Sequence, residues 1–184
     1  KVRVWKDPYD KQHRSYGGGN CDLDNAVTIA KRSSRYGLKL MVMIAYSDFY
    51  TSDGLQRVPK SWEKMDFKTK EKAVAAYTTQ VLEKIQKAGG LIGLIQIGNE
   101  TNEQFIGEKS PKRIAKLLKT ASNAADEFTK KHHSKAKIVM DFANPEDQNL
   151  SEYAELLHEN DVPYDIFATT YYACWNGTLK NLTR

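Results

Sequence analysis

Apolar and polar positions fall into two kinds of block along this chain. Short, nearly unbroken apolar runs occupy residues 2–5, 38–46, 91–98, 137–142 and 164–172. Between them lie longer stretches whose apolar residues return every three or four positions. The runs predict buried parallel strands and the longer stretches predict amphipathic helices. The helices are expected over 22–36, 67–88, 111–131 and 150–160, and Leu179 opens a further one. Ala26, Ile29 and Ala30 share one face of the first helix, and Gly37 stops it. Ala73, Ala76, Tyr77, Val81 and Ile85 do the same in the second, and Ile114, Leu117, Leu118, Ala121, Ala125 and Phe128 in the third. Pro111 suits the first turn of that third helix, with Ser110 as its N-cap.

A regular strand–helix alternation demands a parallel sheet. Two architectures satisfy it: an open doubly wound sheet, or part of a (β/α)8 TIM barrel. The polar residues discriminate between them. Every apolar run ends, on its C-terminal side, in polar or aromatic residues: Arg3 and Trp5; Tyr46, Ser47 and Asp48; Asn99 and Glu100; Asp141 and Asn144; Tyr171, Tyr172 and Trp175. A barrel gathers all such ends around one site, whereas an open sheet concentrates function at one switch point. The expectation is α/β, an incomplete (β/α)8 barrel. A full barrel takes about 250 residues, and five strands alone would expose two apolar sheet edges. The 184 residues are therefore expected to be a single catalytic-domain fragment.

Bulk composition changes this picture little. Forty per cent hydrophobic and 28% charged residues describe an ordinary globular domain. No apolar run approaches the roughly 20 residues that span a bilayer, so no membrane partner is expected. The chain opens on Lys, and the missing leader leaves compartment open. The net charge of +5 raises nucleic-acid binding. The lysines, however, are spread over helical faces among Glu and Asp, and Lys130–Lys131 falls at a helix C-terminus, where cations complement the dipole. No basic stripe interleaved with aromatics exists, and no nucleic-acid partner is expected. Cys21 and Cys174 form no zinc spacing; a disulfide and two buried thiols both remain open. His13, His132, His133 and His158 lack metal-ligand spacing, so neither a metal nor a cofactor is implied. Asn149, Asn176 and Asn181 stand in glycosylation sequons.

The chemistry concentrates at Asn99-Glu100, which ends the most apolar run, 91–98. One reading is a solvated carboxylate at a strand tip. The other is a general acid/base, with Asn99 binding substrate or a second carboxylate. Trp5, Tyr46, Phe49, Tyr50, Trp62, Tyr171, Tyr172 and Trp175 cluster in the same loops. Loop packing explains some of these, but aromatic faces also suit the apolar faces of sugars. Glycoside hydrolysis uses two carboxyl groups, about 5–5.5 Å apart for retention and about 6.5–9.5 Å for inversion. Gly17-Gly18-Gly19-Asn20 precedes a helix without matching a phosphate-loop pattern. It reads as a turn feeding that helix, with Asn20 or Asp22 as cap.

These residues also carry a resemblance. Arg3-Val4-Trp5 with Asp7-Pro8, Tyr16 through Asn20 with Asp22-Leu23, Ala30-Lys31-Arg32, Tyr46-Ser47-Asp48-Phe49, Pro59-Lys60-Ser61-Trp62, Gln96 through Asn102, and Tyr171-Tyr172 with Trp175 and Gly177-Thr178-Leu179 resemble, in order, glycoside hydrolase family 53. These are the endo-β-1,4-galactanases of type I arabinogalactan, the galactan side chains of pectin. The resemblance implies a secreted or cell-surface enzyme on a (β/α)8 barrel, acting with retention on a β-1,4-galactan polysaccharide. It implies that Glu100 is the acid/base, Asn99 its asparagine partner and Arg3 the support of a nucleophilic Glu at the end of strand seven. It places Trp5, Tyr46, Asp48, Trp62, Tyr171, Tyr172 and Trp175 at the substrate. The chain matches strands two to six, so the nucleophile is expected outside it.

The match has departures. The family usually has Asp-Phe-His where Met43, Ile44 and Ala45 stand, a histidine where Asp141 stands, and a proline, an aromatic and Trp-His where this chain has Ala173-Cys174-Trp175-Asn176. They fall at the substrate face. They keep open two alternatives: a non-catalytic carbohydrate-binding protein on a degenerate barrel, and a hydrolase of another β-glycan.

Overall fold

The computed structural model describes residues 1–16, 21–145 and 150–182. Its element order is β1 (Val2–Val4), α1 (Leu23–Ser34), β2 (Lys39–Ile44), α2 (Phe67–Lys87), β3 (Leu91–Ile97), α3 (Pro111–Lys131), β4 (Lys137–Phe142), α4 (Leu150–Glu159), β5 (Ile166–Thr169) and α5 (Leu179–Leu182). A single 3-10 turn, Lys60–Trp62, interrupts the long loop after β2. The glycine turn at 17–20, with the candidate cap Asn20, the sequon at Asn149 and the side chain of Asn181 lie outside the described residues.

The helices start where their capping chemistry dictates. Asp22 accepts the backbone N–H of Asn25 at 2.7 Å, and Asp66 accepts that of Thr69 at 2.7 Å, each satisfying a donor that the first turn leaves unpaired. Ser110 occupies the N-cap of α3 without a side-chain bond, and Pro111 opens the helix. The fifth strand is shorter than its apolar run, because pairing with β4 stops at Thr169.

All strand pairs are parallel, and the sheet order is β1-β2-β3-β4-β5. Sequential order leaves no switch point within this sheet. Helices α1, α2, α3 and α4 pack successively against one another, as they must when every crossover returns on one face. An open doubly wound sheet would place helices on both faces. The arrangement is an arc of a barrel.

Strand parity divides the side chains. Val2, Val4, Val42, Ile44, Ile95, Ile97, Ile138, Met140 and Phe142 point to the helices and form the main core. The alternate positions, including Lys1, Arg3, Trp5, Met43, Gln96 and Asp141, face the opposite, inner side. Trp5, Met43 and Ala45 form a small separate cluster there, with Cys21 against it. Arg3, Met43 and Gln96 stand in register across β1, β2 and β3. Polar inner positions therefore collect towards the C-terminal ends of the strands.

Candidate active site

Residue Glu100 leaves the end of β3 after Gly98 and Asn99. Gly98 has φ +70, and a Cβ there would lie 2.5 Å from Thr101 Cγ2 and 3.0 Å from Phe105 Cε2. Only glycine turns the chain this tightly against Phe105. Glu100 itself has φ +53, a left-handed conformation uncommon for a residue with a side chain. Such conformations persist where surrounding contacts over-determine them. Here the N–H of Glu100 donates to Asp141 Oδ2 at 3.2 Å, its carbonyl accepts from Gln56 Nε2 at 3.2 Å, and its Oε2 accepts from the N–H of Asp53 at 3.1 Å. Among the described residues Oε1 has no hydrogen-bond partner and is free for chemistry. Asn99 is fixed similarly: its Nδ2 donates to the carbonyl of Thr51 at 3.1 Å, and its carbonyl accepts from Gln56 at 2.7 Å.

A cleft at the C-terminal ends of the strands is lined by Lys1, Arg3, Trp5, Met43, Tyr50, Thr51, Asn99, Glu100, Thr170 and Tyr172. It runs into a second hollow through Tyr50, Glu100, Thr170 and Tyr172, which adds Ser52, Asp53, Ala143, Asn144, Trp175 and Asn176. The structure thus brings Arg3, Trp5, Asn99, Glu100, Tyr172 and Trp175 together. Tyr172 and Trp175 form an edge-to-face pair at 5.3 Å, and both are exposed. Asn176 holds their turn by accepting the N–H of Tyr172 at 2.5 Å and is itself buried. Tyr171 is half-buried and donates its hydroxyl to the carbonyl of Gly177 at 2.5 Å, outside the cleft lining. A larger cavity of about 750 Å3 opens at the other end of the strands, between Lys39, Gly90, His132 and Lys137. No carboxylate lines it, so it lacks the carboxyl chemistry that glycoside hydrolysis uses.

The structure places two of the expected substrate contacts away from the cleft. Tyr46 is 1% exposed and packs against Tyr77 and Phe105, with its hydroxyl 2.6 Å from Thr78 Oγ1. Trp62 is 4% exposed and packs edge-on against Tyr77. The cause for Tyr46 is parity: it lies two residues past Ile44 and points the same way, to the helices. Burial also raises the Tyr46 phenol well above its ordinary range, against the opposing effect of the hydrogen bond with Thr78. Asp48 is buried on the far side of the loop, where Oδ2 accepts the N–H of Lys60 at 2.8 Å. It lines a separate hollow with Tyr16, Phe49, Arg57 and Glu63.

Two more residues complete the site: Gln56, which the patterning did not single out, and Asp141, which it named as a strand end without giving it a role. Gln56 is 1% exposed and bonds the carbonyls of Ser52, Asn99 and Glu100. Asp141 is 6% exposed and accepts from Gln96 Nε2 at 3.2 Å as well as from Glu100. Burial pushes the Asp141 carboxyl up to about 6; the N–H of Glu100 and the Lys1 cation oppose this, and the Glu100 charge adds to it. Strand parity gives a signal for Asp141, since it alternates with Met140 and Phe142. For Gln56, in an irregular loop, there is none.

Among the described residues no group of three or more His, Cys, Asp or Glu side chains could hold a metal ion, and no helix is long and apolar enough to cross a membrane. Both cysteines are free thiols, Cys21 half-buried and Cys174 exposed.

The profile of glycosyl hydrolase family 53 matches residues 1–184. The chain is similar to an endo-β-1,4-galactanase of Bacillus subtilis, 40% identical over 184 residues, covering 100% of this chain and 42% of that protein. It is also similar to an arabinogalactan endo-β-1,4-galactanase of Cellvibrio japonicus, 30% identical over 96% of this chain and 47% of that protein. A family 53 catalytic domain of Ignisphaera aggregans superposes with a TM-score of 0.90 at 31% identity, over 97% of this chain and 50% of that one. The chain thus spans about half the length of the relatives it matches, and its sheet is a partial (β/α)8 barrel. It belongs to glycosyl hydrolase family 53.

Proposed function

We propose that the protein is a retaining endo-glycosidase that hydrolyses β-1,4-galactan, with Glu100 as its acid/base. The observation that carries this reading is the Glu100 carboxyl, held at Oε2 by the Asp53 N–H and open on a cleft with Arg3, Trp5 and Tyr172. In the first step Glu100 gives its proton to the leaving glycosidic oxygen. In the second it takes a proton from the water that releases the sugar. Arg3 supplies positive charge beside the second carboxylate, which comes from a barrel strand other than the five described here. Asp141 does not take that part, because it is buried behind the Glu100 backbone and lines neither hollow of the cleft. Tyr172 and Trp175 stack on sugar rings, and the buried Trp5 lines the cleft beside them. Named relatives that are galactanases support the substrate class, and a polymeric substrate of this kind suits secretion or display at the cell surface.

A second reading, a preference for another β-glycan, is favoured by Met43. It lines the cleft with an apolar thioether where the family resemblance leads one to expect an acid. Incubating the full-length protein with galactan, mannan and cellulose separates the readings. Internal cleavage of galactan is expected. Cleavage of mannan or cellulose alone would shift the assignment to that glycan, and galactan binding without cleavage of any of the three would leave a carbohydrate-binding protein.

A further inference from the structure

The left-handed turn at Glu100 needs something to hold it, and the groups that do so come from different parts of the chain. The acceptor of the Glu100 N–H is a side chain of the neighbouring strand β4. Asp141 Oδ2 is 3.2 Å from that N–H and 3.2 Å from Gln96 Nε2. Thr170, just past β5, donates its hydroxyl to the same carboxyl at 3.3 Å. The backbone carbonyl of Asp141 accepts the N–H of Thr101 at 3.1 Å. One buried residue therefore joins the ends of β3, β4 and β5 immediately behind the candidate acid.

We propose that Asp141 is a positioning residue of this site: its buried carboxylate fixes the backbone of Glu100 in the left-handed conformation and so aims the Glu100 carboxyl into the cleft. The proposal rests on the reading of Glu100 as the acid/base. A carboxylate acceptor makes a stronger bond to an N–H than a neutral one does, and no water-exposed group could replace it at this depth. The charged groups that act on Asp141 are Lys1 from the β1 side and Glu100 from β3; β5 presents the neutral Thr170. When Asp141 takes up a proton it becomes a donor as well as an acceptor, and its hold on the Glu100 N–H weakens.

The test uses the full-length protein with Asp141→Asn and Asp141→Ala. Hydrogen exchange at the Glu100 amide reads the positioning without any substrate. The expected result is slow exchange in the wild type, retained in Asp141→Asn, whose Oδ1 still accepts, and lost by tenfold or more in Asp141→Ala. With β-1,4-galactan, kcat should fall at least tenfold in Asp141→Ala with KM within twofold, and Asp141→Asn should recover most of it. The wild-type kcat should also decline on the acid side near the Asp141 titration, and Asp141→Asn should lack that decline. Unchanged Glu100 exchange in Asp141→Ala, or equal loss of kcat in both variants, would overturn the proposal. If exchange behaves as expected while the wild type cleaves no glycan, the glycosidase reading fails and the positioning role stands.

Discussion

Gln56 and Asn99 meet through a 2.7 Å hydrogen bond from the side-chain amide of Gln56 to the main-chain carbonyl of Asn99. The same amide reaches the carbonyl of Glu100 at 3.2 Å and that of Ser52 at 2.9 Å. A loop residue thus ties the segment that forms one wall of the cleft to the turn carrying the candidate acid. Replacing it with leucine of similar size leaves the carbonyls of Asn99 and Glu100 without this donor. A buried acceptor that loses its partner costs about 1–3 kcal/mol. Gln56→Leu should therefore lower stability by about that amount in denaturant unfolding of the full-length protein. It should also reduce kcat roughly tenfold, the equivalent of about 1.4 kcal/mol, because Asn99 and Glu100 lose their alignment together.

Stability should carry the imprint of Asp141 as pH changes. Its folded-state pKa is raised to about 6 from 3.8, chiefly by burial. A carboxyl with a raised folded pKa contributes stability that is fully present below its unfolded pKa and lost as pH rises through the folded value. The window here is about pH 4 to 6. The penalty above it is on the order of 2–3 kcal/mol, and Asp141→Asn removes it. The variant's melting temperature relative to wild type should therefore rise between pH 4 and pH 7. A difference that stays flat over that range would mean that Asp141 titrates alike in the folded and unfolded chain.

The tryptophans should divide by burial. Trp175 is 76% exposed and Trp62 is 4% exposed. Losing an exposed stacking surface costs about 0.5–1.5 kcal/mol of binding, so Trp175→Ala should raise KM severalfold and leave the melting temperature nearly unchanged. Trp62→Ala opens a cavity beside Tyr77 and should cost about 3–5 kcal/mol of stability, with KM of the folded protein unaltered. Kinetics paired with calorimetry on both variants checks the division.

Much of this molecule is legible in its residues, and the part that is not has a consistent cause. Helix α3 (Pro111–Lys131) and strand β4 (Lys137–Phe142) fall where periodicity, Pro111 and the apolar run place them, because local chemistry sets those limits. The barrel arc follows from polar residues at successive strand ends. The gathering of Arg3, Asn99 and Glu100 follows from the same rule. The burial of Tyr46 and Trp62 is not legible, because an aromatic near a strand end looks alike whether it faces sugar or core. Strand parity from Ile44 resolves the first, and the second depends on how the loop around Pro59 folds back on α2. The contacts of Gln56 and Asp141 join residues more than forty positions apart, through a loop and across strands. No local pattern encodes such pairings. Nor does one encode the positive φ of Glu100.

The central claim is that Glu100 donates the proton to the departing sugar, and Glu100→Gln in the full-length protein tests it most directly. The glutamine keeps the acceptor for the Asp53 N–H and removes the proton. General acid–base help of this kind contributes about 100- to 10,000-fold. Formation of the glycosyl-enzyme from β-1,4-galactan, whose leaving group needs protonation, should fall within that range. The same step with an aryl galactoside bearing a dinitrophenolate leaving group, which needs none, should fall only a few-fold. Equal rates for Glu100→Gln and wild type on galactan, or equal losses on both substrates, would contradict the assignment.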